Sequence, residues 1–299
     1  MRVTLIHNPQ AGRQRAGAAR KLVKFLSDHG HEVRYYSAKE DGWKRALKKP
    51  AELMVVAGGD GTVAKVARRM VGRGVPLAVL PSGTANNIAR TLGLLERPFE
   101  ELVRGWERPR RVKLDVGVAA GPWGERYFVE SVGAGLFASL LAKPSRGKLK
   151  KRKAPVESAL RRLQEAAARC EPLEVTAALD GRDISGRYLL LEAVNLRYVG
   201  PNLHLAHDSQ PGDGQFDVVL VTEAERDRLL YYLAHWQNNR ERLGMLPTLR
   251  GRRLQIEWTG FALHIDDKLE PKAKAKPKQI AGLVEARLDG DAVEFLIPP

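Results

Sequence analysis

A chain of 299 residues with 43% hydrophobic and 28% charged side chains is long for one compact core and reads as two globular domains. Its formal net charge of +15 excludes an acidic solvating protein and calls for a polyanionic partner, whether nucleic acid, an anionic membrane surface or a phosphorylated substrate. One cysteine, Cys170, excludes an internal disulfide and a cysteine-built zinc site, which suits a reducing cytoplasm, and no apolar run reaches the length of a membrane span.

The first third alternates between strand and helix patterns. Arg2 to Asn8 reads as a strand rather than a signal peptide, with Pro9 to Gly12 as the turn that follows. Arg15 to His29 has Ala18, Leu22, Phe25 and Leu26 at helical spacing and stops at Gly30. Glu32 to Ser37 is a second strand and Trp43 to Leu47 a short helix. Two apolar runs, Leu53–Ala57 and Leu77–Leu80, then lead into Gly58-Gly59-Asp60-Gly61-Thr62 and Pro81-Ser82-Gly83-Thr84-Ala85-Asn86-Asn87. Each turn opens a helical pattern, Val63–Val71 and Ile88–Leu94.

Strand, glycine turn and helix N-terminus make an anion site: unpaired backbone N–H groups and the positive helix end converge there, and glycine removes the Cβ that would keep phosphate away. A bare Asp60 carboxylate would repel phosphate, so a divalent cation between them is the natural inference. The alternation predicts an open parallel sheet, a Rossmann-like α/β domain, with the turns gathered beyond the carboxyl ends of its strands.

From about Lys113 the texture is mainly β. Val112–Val118, Arg126–Glu130, Leu173–Leu179, Leu189–Asn195, Phe216–Thr222, Leu254–Thr259 and Ala262–Ile265 read as strands, interrupted by helices over Val156–Cys170 and Ala224–Leu243. Short strands at Ala281–Leu288 and Ala292–Leu296 close the chain. The expectation is a mainly antiparallel β-sandwich over 115–280, an α/β domain over 1–114, and a segment 281–299 that packs back on the first. Lys143 to Lys153 is the densest basic cluster, and Glu270 to Gln279 is a low-complexity stretch of Lys, Ala and Pro. Aromatic residues are not interleaved with the basic cluster, which argues against nucleic acid; an anionic leaflet as its partner and a plain solvated loop both stay open.

At these residues the chain resembles the bacterial diacylglycerol-kinase-like lipid kinases, which share a catalytic domain with diacylglycerol and sphingosine kinases. The likeness runs through Asn8–Gly12, Gly58–Thr62, Pro81–Arg90, Lys113–Gly117, Ser131–Ala138 and Asp213–Val218. The glycine pentad alone is shared with NAD kinases; the Pro-x-Gly-Thr-x-Asn-x-x-Ala-Arg companion narrows it. The resemblance implies an ATP- and Mg2+-dependent lipid kinase acting on a hydroxyl, cytoplasmic and peripheral at the inner membrane face, with acyl chains held in a hydrophobic slot of the β domain. Asn8, Pro9, Gln10, Ala11, Gly12, Ser37, Gly58, Gly59, Asp60, Gly61, Thr62, Val63, Ala64 and Thr84 would line the ATP site. Asp60 and Asp115 would share a magnesium and water network, and Gln210, Asp213 and Gln215 would form a second, structural magnesium site. Exposed strand edges are compatible with a homodimer.

This chain departs from the family at two places. An Asp-Gly-Glu segment supplies the catalytic carboxylate in the family; here the match is Asp266-Asp267-Lys268, followed by Glu270-Pro271. Asn87 stands where family members often carry Asp. Two readings stay open: an active kinase with Asp266 or Glu270 as base alongside Asp60, or a weak or inactive lipid- or nucleotide-binding regulator on the same fold.

Overall fold

The computed structural model describes residues 1–12, 17–142, 156–206, 208–236, 246–271 and 281–299. The basic cluster 143–153, the distal part of the helix expected to 243 and the Lys-rich stretch 272–279 lie outside the described residues. The chain divides into two compact units, Met1–Val116 with Asp291–Pro299, and Gly117–Gly290. In chain order the first part holds β1 (Arg2–His7), α1 (Ala18–Asp28), β2 (Glu32–Ser37), α2 (Trp43–Ala46), β3 (Leu53–Gly58), α3 (Asp60–Met70), β4 (Leu77–Pro81), α4 (Asn87–Thr91), α5 (Phe99–Arg104) and β5 (Arg110–Asp115). Then come β6 (Gly117–Gly121), β7 (Gly124–Phe128), β8 (Ser131–Gly135), α6 (Leu136–Ala142), α7 (Val156–Ala167), β9 (Leu173–Leu179), β10 (Arg182–Asp183), β11 (Gly186–Val194) and β12 (Phe216–Thr222). The chain ends with α8 (Arg226–His235), β13 (Thr248–Gly251), β14 (Arg253–Trp258), β15 (Leu263–Ile265), β16 (Lys268–Glu270), β17 (Gly282–Arg287) and β18 (Ala292–Ile297).

The first unit is an α/β domain around a mixed sheet of order β2-β1-β3-β4-β18-β5. β1 to β4 pair in parallel, and β18 runs antiparallel to β5. β3 is buried at every position, because a central parallel strand covered on both faces has no wet side and its sequence is apolar throughout. α3 buries Val63, Val66, Ala67 and Met70, the i, i+3, i+4, i+7 stripe of a helix lying on a sheet. Register fixes the ends of the parallel strands: Ser37 lies opposite His7, His7 opposite Ala57, and Gly58 opposite Pro81. One carboxyl edge therefore collects the turns after β1, β3 and β4.

The second unit is an antiparallel, curled sheet. Its main path runs β16-β15-β8-β11-β9-β14-β17-β6-β7, with β12 and β13 branching from β11 and β10 from β9. The first and last strands of that path meet: Arg126 Nε on β7 donates to Glu270 Oε1 on β16 at 3.1 Å. Curling is the sheet's answer to its own edges, and the ion pair seals the seam. The concave side encloses one apolar core that includes Phe128, Val132, Leu191, Phe216, Ile256, Trp258, Leu263 and Val284. The other face of β11 and β12 packs beneath α6, α7 and α8 through Leu160, Leu163, Leu190, Val219, Leu229, Tyr232 and Trp236. No helix among the described residues is long and apolar enough to cross a membrane.

Two expectations are corrected. Val112–Val118 is not one strand: β5 ends at Asp115 in the first unit, Val116 bonds to Asp291 through its N–H, and β6 begins the second. Gly282–Arg287 does not return to the α/β unit, since β17 pairs with β14 and β6; only β18 does so. Its alternating buried positions suit a sheet with one apolar face, whereas β18 is buried in a continuous run at its end. Ser131–Gly135 is a strand, β8, whose glycines let neighbouring strands reach across it.

The seam generates an expectation for stability. Arg126→Ala leaves the buried Glu270 carboxylate without its guanidinium. The arginine is itself 39% exposed, so the loss is less than for a fully buried pair, about 1–3 kcal/mol. Urea unfolding of the two proteins, compared at equal m-value, measures it.

Candidate active site

The two glycine turns are interlocked. A Cβ on Gly59 would come within 2.8 Å of Gly83 Cα, and one on Gly83 would fall on Gly59 Cα in return and within 2.6 Å of Asn86 Oδ1. The two backbones thus touch where only hydrogen fits. Gly12, at φ +65°, closes the third side: its Cβ would lie 2.5 Å from Ser82 O. Polar bonds hold the junction. The Ser82 N–H donates to Gly58 O at 3.0 Å. Asn86 brackets Gly83, accepting its N–H at Oδ1 (2.8 Å) and donating from Nδ2 to its carbonyl (3.1 Å). Asn86 sits in the left-handed region at φ 54°, a conformation that asparagine tolerates better than most residues.

Asp60 is the first residue of α3 and accepts the Ile88 N–H at Oδ1, 2.9 Å away. It therefore ties the start of α3 to the start of α4. The helix pattern expected from Val63 begins three residues earlier, at Asp60, because a carboxylate in the first turn complements the helix dipole. Asn8 joins in from β1. Its Nδ2 donates to Thr62 Oγ1 at 3.0 Å, its Oδ1 accepts Gln10 N–H at 3.1 Å, and its carbonyl accepts Ala11 N–H at 3.0 Å. Ser37 is buried at the end of β2, where its Oγ accepts the Lys39 N–H at 3.2 Å. A small cavity is lined by Asn8, Ala38, Lys39, Trp43, Thr62 and Lys65.

Asn8, Pro9, Gln10, Gly12, Gly58, Gly59, Asp60, Gly61, Thr62 and Thr84 accordingly share one sheet edge, with Pro9, Gln10 and Thr84 exposed. Val63, Ala64 and Ala11 are buried, so their side chains serve the core and only their backbone is available to a ligand. In the first turn of α3 the Thr62 and Val63 N–H groups donate to Gly59 O at 2.8 and 3.1 Å, and the helix N-terminus at Asp60 and Gly61 lies at this edge, the kind of terminus that receives phosphate. Asp115 is buried at the end of β5, with β4 and β18 lying between β5 and β3 in the sheet. Asn87 is buried in the first turn of α4. No group of three or more His, Cys, Asp or Glu side chains that could hold a metal occurs among the described residues. A magnesium here would be held in the manner typical of that ion, by one or two carboxylates together with phosphate oxygens.

The segment matching the family's catalytic carboxylates lies in the second unit, as the β15–β16 hairpin. Asp266, at φ 50°, turns its carboxylate back onto the chain and accepts at Oδ1 the N–H groups of Val129 (3.1 Å), Glu130 (2.8 Å) and Ser131 (3.3 Å). Such a carboxylate fastens a loop; its lone pairs are spent on backbone donors. Glu270, buried and paired with Arg126, is likewise part of the framework. Glu270 is buried and Asp266 is half-buried with Oδ1 committed to three amides, whereas Asp267 and Lys268 at the hairpin tip are exposed.

Beneath the hairpin lies a buried charge pair that sequence reasoning missed. Gly133 stands in register between His264 and Glu192. Across that gap His264 Nε2 meets Glu192 Oε2 at 2.8 Å, while its Nδ1 meets Asp266 O at 3.0 Å. A Cβ on Gly133 would lie 2.7 Å from Glu192 Cδ and closer still to the carboxylate oxygen. Burial depresses the imidazole pKa, but the Glu192 charge and hydrogen bond and the Asp266 carbonyl together outweigh it, so His264 is raised above its usual value. The only sequence signal for this pair was the glycine in β8, since neither charged partner belongs to a local pattern.

Residues 2–119 match the family model described as the diacylglycerol kinase catalytic domain, which spans nearly the whole α/β unit. A diacylglycerol kinase of Bacillus subtilis (strain 168) is 29% identical over 237 residues, covering 75% of this chain and 74% of the relative. One from Mycobacterium tuberculosis (strain H37Rv) is 24% identical over 283 residues, covering 89% and 88%. The crystal structure of a diacylglycerol kinase from Bacillus anthracis str. Sterne superposes with a TM-score of 0.72 over 100% of this chain and 97% of that one; at 19% identity this speaks to the fold. The resemblance read from the glycine turns is shown by these matches. The class they define is a lipid kinase, a phosphotransferase, whose kind implies ATP as the phosphate donor.

Two outcomes follow from the geometry. Gly83→Ala forces the turns apart, costing about 1–3 kcal/mol of stability and about tenfold or more in nucleotide affinity, measured by calorimetric titration of ATP with magnesium beside urea unfolding. His264 contributes stability that is complete below about pH 6.5 and is lost as pH rises through its higher folded value. Wild-type stability should therefore decline above neutrality, and His264→Ala, which strands a buried carboxylate, should cost about 3–5 kcal/mol at pH 6 and flatten that decline.

Proposed function

We propose that this chain is an ATP- and Mg2+-dependent lipid kinase that phosphorylates a hydroxyl of a membrane lipid such as diacylglycerol. One observation carries the reading: the interlocked turns at Gly59 and Gly83, with Asp60 at the head of α3, form a backbone cradle at the carboxyl edge of a parallel sheet. The N–H groups at the very start of α3, around Asp60 and Gly61, would hold phosphate, and Asp60 and Asp115 would be the carboxylates offered to magnesium in this unit. Magnesium, when bound with the nucleotide, would neutralise charge on the transferring group. Phosphoryl transfer depends mostly on such positioning and electrostatics, so a weak base is tolerable.

Because Asp266 and Glu270 are occupied with framework bonds, the acid left to accept the hydroxyl proton is Asp267, exposed at the hairpin tip. Asp266 is a positioning residue in this scheme. The second reading, a weak or inactive lipid- or nucleotide-binding regulator, is favoured by the same occupied carboxylates and by Lys268 in the family's glutamate position. The net charge of +15 supports a peripheral stay on an anionic leaflet.

The deciding assay is radiolabelled ATP with mixed micelles of diacylglycerol, sphingosine and phosphatidylglycerol. Labelled lipid is expected with the wild type and none with Asp60→Asn. Asp267→Asn should lower turnover by about 10²-fold with little change in melting temperature, whereas Asp266→Asn should lower the melting temperature first. Nucleotide binding without labelled lipid selects the regulator. Flotation with anionic against neutral vesicles, with duplex DNA as competitor, tests the leaflet.

A further inference from the structure

The resemblance implies a second cation at the turn Gln210–Gln215, with Asp213 as its carboxylate, and the side chains found there do not fit one. Asp213 Oδ1 accepts the Gln215 N–H at 2.9 Å, and Asp213 Oδ2 is held by the guanidinium of Arg250. The same guanidinium reaches Asp217 Oδ1 through Nε at 3.5 Å. Arg250 and Asp217 lie directly opposite each other on β13 and β12, so the strand register delivers the charge to this spot. The Gln210 carbonyl, another expected ligand, accepts the Asp213 N–H at 3.3 Å.

Asp217 explains why a positive charge is needed here at all. Its side chain is 3% exposed, so its carboxylate needs a partner inside the fold, and Asp213 and Asp208 lie close enough to repel it. Three acids thus face one another around the end of the turn, and Arg250 is the base bonded to two of them. A guanidinium cannot shed its proton in a protein, and a dication entering beside Asp213 would meet a fixed like charge on the same carboxylate.

We infer that Arg250 is a built-in replacement for the structural divalent cation. It neutralises Asp213 and the buried Asp217 and ties the turn Gln210–Gln215 to β13. The chain then requires no divalent ion to hold this turn, and any magnesium requirement comes from the nucleotide site alone. Removing Arg250 leaves Asp213, Asp217 and the carbonyls of Gln210 and Gln215, a hard-oxygen set that suits a divalent ion.

The test uses the full chain without nucleotide, so its outcome is separate from whether the protein phosphorylates anything. Bound Mn2+ is counted by electron paramagnetic resonance for the wild type, Asp213→Asn and Arg250→Ala, and each is melted in EDTA and in millimolar Mn2+. The wild type and Asp213→Asn should bind the same number of ions, since any ion held elsewhere is common to both. Arg250→Ala should melt roughly 5 °C lower in EDTA, recover part of that loss in Mn2+ and bind one further ion. The inference is overturned if the wild type binds one more ion than Asp213→Asn, or if EDTA lowers its melting temperature while Mn2+ restores it. Should Arg250→Ala fail to fold, Arg250→Lys keeps the charge while losing the two-carboxylate bridge, and the wild-type comparison decides by itself.

Discussion

The contact between Gly59 and Gly83 is the constraint on which the nucleotide edge depends. Two strands 4.7–4.9 Å apart, as in any sheet, deliver turns that must either diverge or touch. Here they touch, because neither residue carries a Cβ. Once the backbones meet, the rest is determined: Ser82 bonds to Gly58, Asn86 brackets Gly83, and Asp60 reaches the amide of Ile88. The junction of the turns is thus a property of two backbones and two side chains, Asn86 and Asp60. It is rigid because each turn is the other's support.

The second unit repeats the device with a different result. Gly133 opens a gap in β8 across which Glu192 and His264 meet, and the histidine passes the constraint on to the Asp266 carbonyl. Asp266 in turn binds three consecutive amides. Carboxylates that a motif comparison would assign to chemistry are consumed in holding the hairpin. A carboxylate oxygen that accepts several backbone N–H groups is drawn into the framework. The tip of the hairpin, Asp267 and Lys268, is exposed.

Charge in this protein is handled locally. The net charge is +15, and three of the buried acids among the described residues have a named cation: Glu192 has His264, Glu270 has Arg126, and Asp217 has Arg250. These pairs gain little over apolar packing, yet losing one partner is expensive, so they pin strand register more than they add stability.

The sequence by itself determined whatever was local. Glu32–Ser37, Leu173–Leu179 and Phe216–Thr222 are strands with the bounds that their patterning predicts, and the glycine turns were legible because φ, close approach and helix initiation are written into adjacent residues. The change from α/β to β texture was legible for the same reason. What only tertiary structure decided were meetings between distant strands. The splitting of Val112–Val118 between two units, the placement of Gly282–Arg287, and the occupation of Asp266, Glu270 and Asp213 all required knowing which strand lies beside which. A carboxylate's availability is set by donors such as Val129, Arg126 and Arg250, tens to more than a hundred residues away in the chain. Such partners leave no trace in spacing, because register and sheet curvature, not sequence distance, bring them within hydrogen-bond reach.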